Sequence, residues 1–242
     1  EAFRLEQIKA QPGGDSAAEV LSHELMFYDT QPAKLLGLKD EFLASARLDN
    51  LLSCFLACEA LCDSPVTHTS IVVCNDHEEV GSVSTSGAQG PLLRSVVDRL
   101  LGSVGAEADG FDRLISQSAM LSIDNAHGIH PNFIDRHDDK HGPLLNKGPV
   151  IKVNANQRYA SNSHSVALFK SLCMKVGVTP QLFAMRADMA CGSTIGPITS
   201  ASLGIETVDV GVPTFGMHSI RELAGSDDAP ALAKVVAAFF AR

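Results

Sequence analysis

The 242-residue sequence has no Lys/Arg-rich block: 19 basic residues stand against 28 acidic ones, for a net charge of −9. That balance argues against nucleic acid and anionic membrane surfaces as partners, although a few local basic groups can still meet an acidic substrate. No apolar run approaches the ~18 residues of a membrane span. Neither a secretory signal nor an Asn-x-Ser/Thr sequon is legible. The six cysteines (Cys54, Cys58, Cys62, Cys74, Cys173 and Cys191) form no Cys-x-x-Cys pair and sit in apolar contexts, as in a reduced, cytoplasmic protein. Familiar catalytic motifs are missing too. There is no Gly-x-Ser-x-Gly elbow, "CGSTIGP" included, which argues against a serine hydrolase. Neither a Walker A loop nor a G-x-G-x-x-G loop occurs.

What is present is ordinary globular material, 45% hydrophobic and 19% charged, long enough for one large domain or a domain plus a fragment. The chain opens Glu1-Ala2-Phe3, without an initiator Met, and reads as a piece of something longer. Up to about residue 45 the texture is mixed. "LEQIKAQPGGDSAAEV" predicts a helix, a Pro-Gly-Gly turn and a second helical start, and "ELMFYDTQPAKLLGL" looks extended. From there strands alternate with helices. Helices are expected in "LDNLLSCFLACEALCD", "GPLLRSVVDRLLGSV", "SNSHSVALFKSLCMKVGV" and "ALAKVVAAFFAR", and strands in "TSIVVCN", "GPVIKVNA", "QLFAMRAD" and "GIETVDVGVP", while "FDRLISQSAMLSIDNA" reads as helix into strand. This alternation implies an α/β fold with a largely parallel sheet. Residues 125–148, with "DRHDDKH" at their centre, are poorest in regular structure, and loops that long are often functional.

The stretch "SIVVCNDHEEVGSVSTSGAQGP" ends an apolar run in two adjacent glutamates. Ligands bind outside the carboxyl ends of strands in open α/β sheets. Neighbouring side chains there point different ways, so Glu78 and Glu79 can do two jobs, one holding a cation and the other handling a proton. Asp49, Asp124 and His218 also fall at predicted element ends. Mixed oxygen and nitrogen donors suit Zn²⁺, and a bridging carboxylate can hold two ions together. The plainer reading is that each acidic residue caps a helix. His137 and His141 have the spacing of a helix-borne zinc pair but lack the Glu of H-E-x-x-H, so a structural or surface role is favoured. His127 and His130, close behind Asp124, are better placed to line a site. Cys54, Cys58 and Cys62 share a helix face, but that spreads them along ~12 Å. They read as small core residues. Lys152 and Arg158, near Tyr159, are either a solvated edge or cations for a substrate carboxylate.

Taken together, "ARLDNLLSCFLACEAL", "DHEEVGS", "DNAHGIHPNF", "KGPVIKVNANQRYASNS", "CGSTIGPITSASLG" and "VPTFGMHSIRELAG" closely resemble the aspartyl aminopeptidase family of co-catalytic zinc metallopeptidases. The resemblance runs from about Val20 to the C-terminus. It implies a three-layer α/β/α zinc-peptidase-like catalytic domain with a mostly parallel central sheet, into which a β-rich dimerisation domain is inserted. By it, residues 1–45 are the remnant of that insertion and residues 46–242 the C-terminal part of the catalytic domain. It also implies a dimer-based dodecamer, two zinc ions per subunit, and removal of N-terminal Asp or Glu from peptides. Asp49 corresponds to the carboxylate bridging both metals, Glu79, Asp124 and His218 to further ligands, and Glu78 to the general base that takes a proton from metal-activated water. Lys152 corresponds to the cation that receives the substrate's acidic side chain, with Tyr159 and Met217 near the same pocket. His130 corresponds to a histidine associated with activity and assembly. The family's remaining His ligand lies in the N-terminal part of its catalytic domain and has no counterpart here, since His23 falls in an insertion-like strand. One metal keeps Asp49, Glu79 and His218, the usual three protein ligands of a catalytic zinc, and the other only Asp49 and Asp124. The competing expectation is a catalytically incomplete member serving as an assembly scaffold.

Overall fold

The computed structural model describes residues 2–65 and 67–242, which divide into two units, up to residue 30 and from 31 to 242. In the first unit α1 (Ala2–Lys9) buries no side chain. The Pro12-Gly13-Gly14 turn follows it, and the expected second helix does not form. A short polar segment with no apolar face to bury has nothing to offset the entropy of ordering.

The larger unit opens with β1 (Lys34–Leu36), β2 (Phe42–Ser45), α2 (Leu48–Asp63), α3 (Leu92–Ser103) and α4 (Gly110–Ser116). There follow β3 (Ala119–Ile123), β4 (Ala126–His127), β5 (Val150–Val153), α5 (Ser163–Lys175) and β6 (Gln181–Ala184). It closes with α6 (Ile195–Leu203), β7 (Glu206–Gly211), β8 (Pro213–Phe215), β9 (Glu222–Gly225) and α7 (Asp228–Phe240). One sheet has the order β3-β7-β5-β6 and the other β1-β2-β9-β8-β4. The α/β class expected from the sequence holds. In the first sheet β3–β7 and β5–β6 are parallel, while β5–β7 is antiparallel. Its central strands are buried almost throughout, Val150, Ile151, Val208 and Val210 among them, as continuous apolar runs covered on both faces should be.

Helix ends follow local chemistry. Asn162 accepts from His164 N (2.9 Å) and Ser165 N (3.0 Å) while Ser165 Oγ accepts from Asn162 N (3.0 Å), a reciprocal cap that starts α5. Gly177, just past its end, takes the left-handed φ of 69°. Helix α7 packs on α2 and α5, where Phe169, Leu232, Val235 and Val236 are buried.

The two sheets are joined by a shared run of pairing. Residues 119–127 lie parallel to 206–214: β3 pairs with β7, then β4 with β8. Between the sheets the ladder continues through Asp124 N to Val210 O and Ala126 N to Val212 O, both 2.9 Å. Gly211 makes this approach possible, because a Cβ there would lie 1.8 Å from Asp124 O. Asp124 is thus held where the chain passes from one sheet to the next.

Two further expectations fail. Ile71-Val72-Val73-Cys74 joins no ladder, and Ile71 is exposed; an apolar run becomes a strand only beside a partner for its backbone groups, and none of the named strands pairs with it. Cys54, Cys58 and Cys62 are not core residues. Cys58 and Cys62 are exposed and Cys54 is half-buried, because α2 turns Leu48, Leu56, Ala57 and Ala60 inward instead.

Candidate metal centre

Three side chains converge at the N-terminal end of α2. His218 Nε2 lies 3.3 Å from Asp49 Oδ2 and 3.0 Å from Glu79 Oε2. These donors fall within 4.8 Å of one another, close enough to share one cation. Each comes from a different local device. Asp49 sits in the distorted first turn of α2, at φ −83° and ψ 111°. Glu79 lies in a single 3-10 turn (Glu78–Val80) entered through His77 in the left-handed region. His218 itself has φ 66°, in a turn after β8.

Glu222, a buried carboxylate on β9, holds two of these pieces together. Its Oε2 accepts from Asp49 N at 2.7 Å and its Oε1 from His218 N at 2.9 Å. Asn50 Nδ2 donates to Ile123 O at 2.8 Å, tying the start of α2 to the end of β3. Glu222 did not stand out in the sequence. Its only signal is its place four residues after His218, in "HSIRE".

Asp124 faces the same cluster from the sheet junction. Its Oδ2 accepts from Lys152 Nζ at 3.0 Å, and that ammonium also donates to Asn125 O at 3.0 Å. Lys152 is 2% exposed, and its Nζ stands 5.4 Å from the ring centroid of buried Tyr159. Asp124 lies close enough to Asp49 for its charge to act on that carboxyl. Burial, then Asp124, Glu79 and Glu222, push the Asp49 pKa up to about 9. Glu78 is raised to about 7 by burial and by Asp124 and Glu79, with Lys152 and His218 opposing. Its carboxylate has no ion pair or hydrogen bond to another described residue.

The donor set fits a divalent ion. Asp49 Oδ1 is buried with no donor against it, and several carboxylates crowd one spot, which is costly unless cations neutralise them. Asp49, Glu79 and His218 supply the oxygen and imidazole donors that zinc favours.

The other expected residues lie around the cluster. Met217 and His130 line an adjoining cavity of about 620 Å³, with His127, Phe133, Arg136 and Phe215. The His130 ring packs between Phe133 (5.3 Å) and Phe215 (5.2 Å). His137 stacks edge-on to Phe183, and His141 pairs with Asp138 at 2.5 Å. Neither joins the cluster.

An α/β chain with imidazole and carboxylates gathered beside the junction of its sheets has the make-up of a metallohydrolase. A family profile described as "Aminopeptidase I zinc metalloprotease (M18)" matches residues 3–240, and the chain belongs to this family of zinc aminopeptidases. It is 58% identical over 221 residues to a "Probable M18 family aminopeptidase 2" of Ectopseudomonas mendocina (strain ymp), an alignment covering 91% of this chain and 51% of the relative. A counterpart of the same description in Pseudomonas savastanoi pv. phaseolicola is 57% identical over 232 residues, covering 96% and 53%. The chain spans about half the length of the curated relatives it matches. Among solved structures, a chain in the cryo-EM structure of the Ape4 and Nbr1 complex superposes with a TM-score of 0.84 at 41% identity, covering 88% of this chain and 42% of that one. The mApe1 dodecamer from S. cerevesiae gives 0.77 at 31% identity, with 88% and 49% covered.

Proposed function

We propose that this chain carries the catalytic part of a metal-dependent aminopeptidase that releases N-terminal Asp or Glu from peptides. The observation that carries the reading is the meeting of two features: the Asp49–Glu79–His218 cluster and, across Asp124, a buried ammonium at Lys152. Asp49, Glu79 and His218 would hold one zinc, and Asp49 with Asp124 would contribute to a second. Zinc, when bound, lowers the pKa of water to about 7 and screens charge developing on the scissile carbonyl. Glu78, unpaired and with a carboxyl raised to about 7, is suited to take the proton of the attacking water and return it to the leaving amine. Lys152 has three N–H donors, two of them occupied by Asp124 and Asn125. The third would receive the substrate's acidic side chain, beside the Tyr159 ring, with Met217 lining the adjoining cavity. His130, fixed between two phenyl rings, shapes the adjoining cavity.

In this reading residues 46–242 belong to the catalytic domain and residues 1–45 to the tail of an inserted dimerisation domain. The whole protein would work as a dimer-based homo-oligomer, as the dodecameric relative suggests, in the cytoplasm. No described helix is long and apolar enough to cross a membrane.

The test is release of N-terminal Asp from a short peptide by this chain and by the full-length protein, each with and without a chelator. Chelator-sensitive release with Asp and Glu, and not with Ala or Leu, is the expected outcome. Metal-dependent release without preference for acidic residues would overturn the specificity. No release by either folded protein would leave the scaffold reading.

A further inference from the structure

Lys152 is an unusual choice for its position. It lies on β5 beside the fully buried Ile151, in the middle of the sheet that forms the core. A lysine in such a place is tolerated only when its charge is paired and its donors are used. Its partner is the Asp124 carboxylate, at 3.0 Å. Asp124 in turn acts on the nearby carboxyl of Asp49, whose two oxygens are in different situations: Oδ2 faces His218, while Oδ1 is buried without a donor. A first cation at Asp49, Glu79 and His218 would therefore displace no other fixed positive charge. A second, between Asp49 and Asp124, meets an ammonium already in possession of Asp124.

We propose that Lys152 is a built-in substitute for the second cation, so that the centre fills in two unequal steps, the Asp49–Glu79–His218 cluster first and the Asp49–Asp124 position only as Lys152 Nζ is drawn off Asp124. This inference rests on the metallopeptidase reading above. It also gives the lysine a second consequence. An anionic side chain at the third donor of Nζ draws the ammonium toward itself and loosens its hold on the Asp124 carboxylate. Acidic ligand and second ion then favour each other, and by linkage each strengthens the other by the same factor. A neutral side chain has no such effect.

The test is a zinc titration of this chain, followed by calorimetry and by competition with a chelating dye. Wild type should bind one ion tightly and a second at least about tenfold more weakly. Lys152→Met, close to lysine in length, should tighten the second step about tenfold or more and leave the first within about twofold. Asp124→Asn should abolish the second step and keep the first. Millimolar L-aspartate should strengthen the second step in wild type and not in Lys152→Met, while L-asparagine, with the same chelating backbone, should do neither. Circular dichroism establishes that each variant is folded. Should Lys152→Met fail to fold, Asp124→Asn and the aspartate response in wild type decide alone. Two equal zinc steps in wild type would overturn the proposal, as would a folded Lys152→Met whose second step is unchanged or weaker. Loss of the first step in Asp124→Asn, or equal responses to aspartate and asparagine, would do the same. If folded wild type bound no zinc at all, the metallopeptidase reading would fall with it.

Discussion

Glu78 and Glu79 are adjacent in sequence but differ in surroundings. The 3-10 turn points Glu79 at His218 and leaves Glu78 unpaired in a partly desolvated spot. On the roles proposed here, Glu78→Gln should cut turnover by at least about a hundredfold with metal content nearly intact. Glu79→Gln should lower both. Metal analysis beside rate measurements checks this, and equal metal loss in the two variants would refute the division. The raised carboxyls also set a pH dependence. Asp49, raised from 3.8 to about 9, and Glu78, raised from 4.5 to about 7, hold protons more tightly folded than unfolded. Their contribution to stability is therefore complete below about pH 4. It is lost progressively as pH rises through 7 for Glu78 and 9 for Asp49. At pH 7 zinc should expel a proton from Asp49, so apparent affinity rises with pH up to about 9. Calorimetry in buffers of different ionisation enthalpy counts that proton, and none released at pH 7 would mean that Asp49 is already ionised.

At the scale of elements, α7 begins with a buried carboxylate that organises a distant loop. Asp228, 0% exposed, accepts from Asn146 N (2.6 Å) and Gly148 N (2.8 Å), fixing the segment that leads into β5 and so to Lys152. Gly225 allows this closeness, since a Cβ there would lie 2.4 Å from Asp228 Oδ2. Asp228→Ala should cost about 2 kcal/mol, the order expected for leaving buried N–H groups unmatched, measured as a fall in denaturant midpoint at constant slope. Burial pushes the Asp228 pKa from 3.8 up to about 6, against the opposing pull of those two N–H groups. Its contribution thus declines as pH rises through 6. Removing the side chain should flatten the stability profile between pH 4 and 6, and an unchanged slope would count against this assignment.

At the scale of the whole molecule, α2 is apolar on both faces. Leu48, Leu56, Ala57 and Ala60 are buried, while Leu51 and Phe55 are 60% and 61% exposed. Exposed Ile71 adds to the apolar surface of this unit. A helix apolar all round is normally covered, and large exposed apolar patches mark interaction surfaces. This chain should therefore bind a hydrophobic dye and self-associate at high concentration. Phe55→Ser should reduce both while changing the thermal midpoint by no more than about 2 °C, because the side chain is already in water. A large loss of stability in Phe55→Ser would show that the residue is packed in solution.

The sequence by itself marked α1 to α5 and α7 as helices and β3, β5, β6 and β7 as strands, because a 3.6-residue or unbroken apolar pattern and the caps of α5 are local properties; α6 and the short strands β2, β4 and β9 carried no such signal. It also supplied the residue types of the cluster: carboxylates and a histidine at the ends of apolar elements. It could not say that 70–75 lacks a strand partner, nor that the thiols of α2 turn away from the core, since both depend on what lies alongside. The antiparallel pairing of β5 with β7, the passage of 119–127 along both sheets and the two bonds from Glu222 were likewise decided by tertiary structure. So was the burial of Lys152 against Asp124. Apart from the bond between His218 and Glu222, those contacts join residues from 28 to 173 positions apart, and whether two charges so far apart in sequence become a pair depends on the folded chain that brings them together and excludes water between them.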